Sequence, residues 1–284
     1  MSSGLSYISE NALTMTNKGI EFTLGINIPM PKDMSWKWTF TGTHYKNKVT
    51  DIPEAKREDG ITHDSYYNIR EGRSAWDFYY YRYAGVDEEG HSMWYYDDTD
   101  ANGNTVLATT TDYSQADKYY IGTALPDFQG GISTEFSWKG LDFSIAANYQ
   151  LGGKIYDSMY ASMMHAGNNA GQNWHHDILN AWGETNVTSN IPVLDGDQNA
   201  NIFSDRFLIG ASFFNIRNIT LGYTFPKSWL KPAAIENARV YFAADNVTLW
   251  SKRKGMDPRQ YISGQSQANY SAIRSMSVGL SLTF

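Results

Sequence analysis

Residues 276–284 read M-S-V-G-L-S-L-T-F and alternate without a break. Met276, Val278, Leu280, Leu282 and Phe284 are apolar, while Ser277, Gly279, Ser281 and Thr283 between them are small or polar. A β-strand sends successive side chains to opposite faces, so this strand has one apolar and one polar face. Terminal residues of soluble domains tend to fray, whereas a membrane β-barrel needs its last strand to face lipid and close the wall. The stretch therefore predicts an all-β membrane wall, and the rest of the chain tests that prediction.

Six further stretches alternate in the same way. Ile20, Phe22, Leu24, Ile26 and Ile28 share one face of a strand beginning at Gly19, and Pro29 and Pro31 end it. Trp36, Trp38 and Phe40 follow at once in a strand over 35–49. The clearest hairpin joins 128–138 to 141–151 through Lys139-Gly140, and each arm is long enough to cross a bilayer at a tilt. Strands over 212–225 and 237–250 complete the set. Near Arg217 the alternation changes phase, which signals either a bulge or a strand leaving the membrane.

Connections alternate between short (29–34, 139–140, 226–236) and long (50–127, 152–210, 251–271). Outer-membrane barrels have short periplasmic turns and long extracellular loops. The expectation is about seven antiparallel strands forming the carboxyl-terminal part of a large transmembrane β-barrel, with its carboxyl terminus in the periplasm. Single-chain bacterial barrels have even strand numbers, so residues 1–284 read as one carboxyl-terminal segment without a plug domain.

Composition narrows the alternatives. No apolar run is long enough for a transmembrane helix, a test that barrels escape because only half of each strand meets lipid. The 20 Tyr and 9 Trp suit interfacial girdles and equally suit sugar-binding surfaces. A net charge of −7 argues against a nucleic-acid partner, and the lack of cysteine excludes disulfides and thiol chemistry. No G-x-S-x-G, P-loop or C-x-x-C occurs, so no enzyme is read here. The amino terminus, M-S-S-G-L-S-Y-I-S-E, has neither the basic nor the apolar region of a signal peptide.

Several blocks carry a resemblance. F-L-I-G-A-S-F-F-N-I-R-N-I-T-L-G-Y-T-F-P-K-S-W-L (207–230), A-R-V-Y-F-A-A-D-N-V-T-L-W-S-K-R-K-G-M-D-P-R-Q (238–260) and the Phe-terminated end resemble the SusC/RagA family of TonB-dependent outer-membrane transporters. A-L-P-D-F-Q-G-G (124–131), Y-Q-L-G-G-K-I-Y-D (149–157) and Y-A-G-V-D (83–87) match it too. The resemblance implies the end of a 22-stranded barrel with an amino-terminal plug, a SusD-like lipoprotein capping it outside, TonB contact through the plug region, and oligosaccharide or peptide cargo. It also implies that Leu280, Leu282 and Phe284 form a barrel-assembly signal. A soluble or surface-attached β-rich carbohydrate-binding protein, or a non-functional truncated remnant, stand as the alternatives.

The site candidates lie in the loops. Trp76, Tyr79, Tyr80, Trp94, Tyr95 and Trp174 either stack on sugar rings, pack the loops into a lid, or contact the capping lipoprotein. Asp98, Asp100, Asn102 and Gly103 read D-x-D-x-N-G, either the opening of a calcium loop or a polar hairpin turn; Thr109 stands where the twelfth-position Glu belongs. Asp195, Asp197 and Asn199 form a weaker version, with Ala200 in place of Gly. Calcium is the one cofactor considered. His165, His175 and His176 read as exposed loop histidines, because adjacent His side chains diverge and no H-E-x-x-H is present. Lys252, Arg253 and Lys254 read as outer-rim charges, meeting lipopolysaccharide phosphates or pairing with Asp257. Glu135, Ser137, Asp142, Asn148, Gln150, Arg239 and Asp245 fall on the polar, lumen-facing parity.

Overall fold

The computed structural model describes residues 13–261 and 263–284; the polar stretch up to residue 12 lies outside the described residues. Seven long strands form one antiparallel sheet whose spatial order follows the chain. They are β1 (Thr14–Ile28), β2 (Met34–Asp51), β3 (Phe128–Trp138), β4 (Leu141–Leu151), β5 (Phe213–Thr224), β6 (Asn237–Ser251) and β7 (Ser275–Thr283). β1 begins at Thr14, earlier than the apolar alternation from Gly19, because its backbone keeps pairing with β2 as far as Thr14↔Asp51.

Register puts the apolar parity of every strand on one face. One row runs Ile26, Trp38, Thr134, Ile145, Ile219, Ala244, Met276. The next row, on the opposite face, runs Asn27, Lys37, Glu135, Ser144, Thr220, Ala243, Ser277. A slip of one residue would exchange the faces, so the pattern specifies the pairing. The apolar face stays open: Ile20 is 72%, Leu280 65% and Val278 79% exposed. Rings gather at both ends of this face. Trp36 lies 5.9 Å from Trp38 and 6.4 Å from Phe136 at the short-turn end, and Phe214 lies 5.7 Å from Trp250 at the long-loop end.

Turn chemistry fits the hairpins. Lys139 and Gly140 have φ of 47° and 90°, the double left-handed turn that matches strand twist. The phase change at Arg217 is a bulge. Register shifts there against β4, between Ala146 and Ala147, and against β6, between Ile216 and Asn218. Asn246, on the bulged part of β6, takes φ 49°, a conformation Asn tolerates better than most residues. The shift returns Phe214 and Ile216 to the apolar face, opposite Tyr149 and Ala147.

The long connections fold rather than wander. Residues 61–123 form a four-stranded sheet (Ile61–His63, Tyr67–Ile69, Asp77–Tyr81, Lys118–Thr123) and a three-stranded meander (Tyr83–Val86, Ser92–Thr99, Thr105–Thr110). The second connection pairs Lys154–Tyr156 with Leu208–Gly210 and adds the helix Ser158–Met163, which the sequence reading did not foresee. Further along it, His176–Asn180 form a 3-10 turn. The third connection threads between them: Tyr156 bridges Gln265, and the Tyr67 hydroxyl donates to the Ser263 carbonyl. Gly264 (φ 70°) sits so close that a Cβ there would meet Ala124 and Phe78 at 2.6 and 2.7 Å. The three connections thus form one cap with its own apolar core.

Candidate functional site

The core of the cap is aromatic. In Asp77–Tyr81 the strand period turns Phe78 and Tyr80 inward. Phe78 lies 5.2 Å from Tyr67 and 5.1 Å from Tyr80, and Tyr80 lies 4.1 Å from Phe203, which meets Tyr156 at 5.0 Å. These are the separations at which ring pairs attract. Burial pushes the Tyr80 hydroxyl far above the ordinary phenol value, so it stays neutral.

This core sorts the six loop aromatics singled out from sequence. Tyr80 and Trp94 are 0% and 1% exposed; they hold the cap together and have no ring face to offer a ligand. Trp76 is partly buried between the two apolar clusters of the cap. Tyr79 faces the other way and packs on Tyr120 at 4.8 Å. Tyr95 carries the Arg82 guanidinium 4.6 Å above its ring. Trp174 alone of the six is exposed; its ring stacks on His165 at 5.3 Å and its Nε1 donates to the His165 carbonyl. The six are dispersed through the cap and do not converge on one patch.

Asp98, Asp100 and Asn102 lie in the hairpin that pairs Ser92–Thr99 with Thr105–Thr110. The Asp100 carboxylate accepts from the backbone amides of Asn102 and Asn104, both at 2.8 Å, and these bonds hold it below the ordinary carboxylate range. Thr109 lies across the ladder from Tyr95 rather than returning to the turn. The geometry is that of a polar hairpin turn. At the weaker candidate, Asp195 accepts from the Asp197 amide and Asp197 from the Asn199 amide, two consecutive local turns.

The basic run 252–254 is not uniformly solvated. Lys252 and Lys254 are exposed, but Arg253 turns inward, pairs with the buried Asp157 and lies 3.5 Å above the Tyr160 ring. Asp257 does not pair with that run. It receives Nε and Nη2 of Arg259 at 2.8 and 2.6 Å. Burial raises the Asp257 carboxyl, but the hydrogen bonds and charge of Arg259 outweigh it and hold the group below 3.8. A depressed carboxyl contributes stability at higher pH and loses it as pH falls through 3.8 and then through the lower folded value. Since the chain has no cysteine, a spin label at Lys254→Cys reports this segment alone. Its mobility should rise below about pH 4 and become independent of pH in Asp257→Asn; a flat profile in the parent counts against the anchoring role.

Between the helix Ser158–Met163 and residues 253–270 lies a cavity of about 500 Å³ lined by Met159, Tyr160, Met163, Arg253, Met256 and Tyr261, among others. A second, of about 390 Å³, lies over the polar face of the sheet, between Gln129, Asn148 and Gln150 below and Lys154, Arg259 and Tyr261 above. Sequence reasoning missed both, since their walls come from connections far apart in the chain. The only local hint was the Met- and Tyr-rich run 159–164. The lumen-parity residues do share the polar face: Asp142 receives two bonds from Arg239, and Asp245 accepts from Asn218 at 2.7 Å.

No protein-family model matches the chain. It is 26% identical to TonB-dependent receptor P3 of Formosa agariphila, over 99% of this chain and 30% of that protein. It is 26% identical to TonB-dependent receptor SusC of Bacteroides thetaiotaomicron, over 98% of this chain and 27% of that protein. Among solved structures, the RagAB peptide transporter superposes with a TM-score of 0.83 at 27% identity, covering 97% of this chain and 30% of the matched one. The RagAB peptide importer in its "open-open" state gives 0.80 at 26%, covering 96% and 29%. The chain thus spans about 30% of the length of the relatives it matches and shares their sheet. In sequence and in fold it is similar to the SusC/RagA-like TonB-dependent receptors, matching a stretch of their antiparallel β-barrel.

Proposed function

We propose that this chain supplies lipid-facing wall and outer cap to an energised nutrient importer of the outer membrane. One observation carries the reading: a largely apolar face over seven strands, open on one side, with polar side chains and a folded cap on the other. Water does not tolerate so large an apolar patch on a monomer, and lipid requires it. The outer edges of β1 and β7 have no strand partner among the described residues, as expected of wall strands that neighbours continue. In this reading the turns at 29–34, 139–140 and 226–236 and the carboxyl terminus face the periplasm, and the cap faces outward. The cargo is an oligosaccharide or peptide, a SusD-like lipoprotein covers the cap, and TonB acts through a plug elsewhere in the assembled receptor. Residues Leu280, Leu282 and Phe284 serve as the assembly signal.

The test uses single cysteines in the receptor that carries this chain. A membrane-impermeant thiol reagent applied to intact cells should label Lys254→Cys and leave Lys139→Cys unlabelled until the outer membrane is opened. Deleting Phe284 should reduce the amount of labelled Lys254→Cys at the surface; an unchanged amount sinks the assembly proposal. Equal labelling at both positions overturns the orientation. A 284-residue chain that is soluble without detergent and melts cooperatively overturns the membrane reading and favours the soluble carbohydrate-binding alternative.

A further inference from the structure

We propose that His175, His176 and Asp177 bind a first-row transition-metal ion, of the Zn²⁺, Ni²⁺ or Cu²⁺ class, beside the cap cavity. The proposal rests on the geometry of the cap and stands whether or not the chain works in an importer. Sequence reasoning expected the two adjacent imidazoles to diverge. In the structure their centroids lie 4.6 Å apart. The cause is local: His175 is extended (φ −72°, ψ 146°) and His176 is the first residue of the 3-10 turn, so the backbone changes course between them and both rings fall beside Asp177.

Both imidazole-to-carboxylate separations are those of ligands around one ion. His176 Nε2 lies 3.0 Å from Asp177 Oδ1, and His175 Nδ1 lies 3.3 Å from Oδ2. Donors each about 2.0–2.2 Å from a metal, at octahedral to tetrahedral angles, are separated by about 3.0–3.5 Å. One potential ligand atom from each residue falls in a single group. His175 Nδ1 accepts from the Asp177 backbone amide at 3.2 Å, so it carries a lone pair and not a proton, and an ion bound there would displace this long bond.

The surroundings hold the ligands in place. The Tyr160 hydroxyl donates to Asp177 Oδ2 at 2.9 Å, and its ring meets His175 edge-on at 4.8 Å. Arg253, paired with Asp157, lies above the Tyr160 ring and helps to fix it. Such outer partners orient ligands and are worth roughly 10- to 100-fold in metal affinity. Two imidazoles and one carboxylate favour zinc, nickel or copper over calcium or magnesium. Three protein ligands leave coordination positions open, and His175 also lines the cavity of about 500 Å³. A nitrogen or carboxylate group of a molecule in that cavity is the chemistry that would complete the shell.

The test titrates the receptor carrying this chain, in detergent micelles, with ZnCl₂ against a chromophoric chelator, and with CoCl₂ to read ligand-field absorption. One site should appear. His176→Ala, at an exposed ring, should lower its affinity at least tenfold without changing heat-modifiable migration on a gel. Tyr160→Phe should lower it severalfold and leave the cobalt spectrum's ligand type unchanged. His63→Ala and His91→Ala should titrate as the parent. An unchanged titration in both His176→Ala and Asp177→Asn, or no binding by the parent at 100-fold excess metal, overturns the proposal.

Discussion

Val278→Arg is expected to block stable membrane folding of the protein, while Ser277→Arg, one residue away, is expected to leave it close to normal. The two differ only in the face they occupy. Val278 is 79% exposed on the apolar side, across from Phe242 and between Met276 and Leu280. Ser277 lies across from Ala243 in the polar row that contains Lys37 and Glu135. A charged side chain on the lipid face of a barrel strand costs about 2–4 kcal/mol near the midplane, less towards the interfaces, whereas lumen positions are tolerant. That cost is a large part of the stability of an ordinary fold. Denaturant titration of folding into lipid vesicles measures both variants. Equal losses at 277 and 278 would show that the open face does not meet lipid, whatever the likeness to known receptors.

The contrast also shows which parts of this protein were legible from sequence. Period-two alternation needs only neighbours in the chain, so 276–284 and the 128–151 hairpin could be read residue by residue, and the turn at Lys139-Gly140 set their register. Arg217 left two readings open because a phase shift looks the same whether a strand bulges or leaves the sheet. Pairing with both neighbours decides it, and that is long-range information. In W-D-F-Y-Y-Y-R-Y (76–83) aromatics occupy both parities, which erases the period-two signal; nothing local says that Tyr80 is core and Tyr79 is not. Arg253 looked like a solvated charge because its partners, Asp157 and Tyr160, lie in another connection. The convergence of the His175 and His176 rings is hidden from sequence for a different reason. Their convergence depends on where a 3-10 turn begins, and helix boundaries are the least predictable feature of a sequence.

The cap supplies the second large effect. Phe78→Ala should unseat the whole cap while sparing the sheet. Phe78 is 0% exposed and touches both Tyr67 and Tyr80, so truncation removes a ring from a packed centre, a change that typically costs about 3–5 kcal/mol. Its effect reaches the third connection too, because Gly264 rests close against the Phe78 ring. The buried members of that cluster come from residues 67–207, outside all seven wall strands. The loss should therefore stay local: protease should cut within 50–127 and 152–210 far faster, with heat-modifiable migration of the barrel unchanged. Tyr79→Ala, next in the chain but facing away from this centre, should change cleavage much less. If Phe78→Ala is cut no faster than the parent, the cap is held by its contacts with the wall and not by its aromatic core. If the barrel's gel shift is lost as well, cap and wall fold as one unit, and the cap is then part of the wall's own stability.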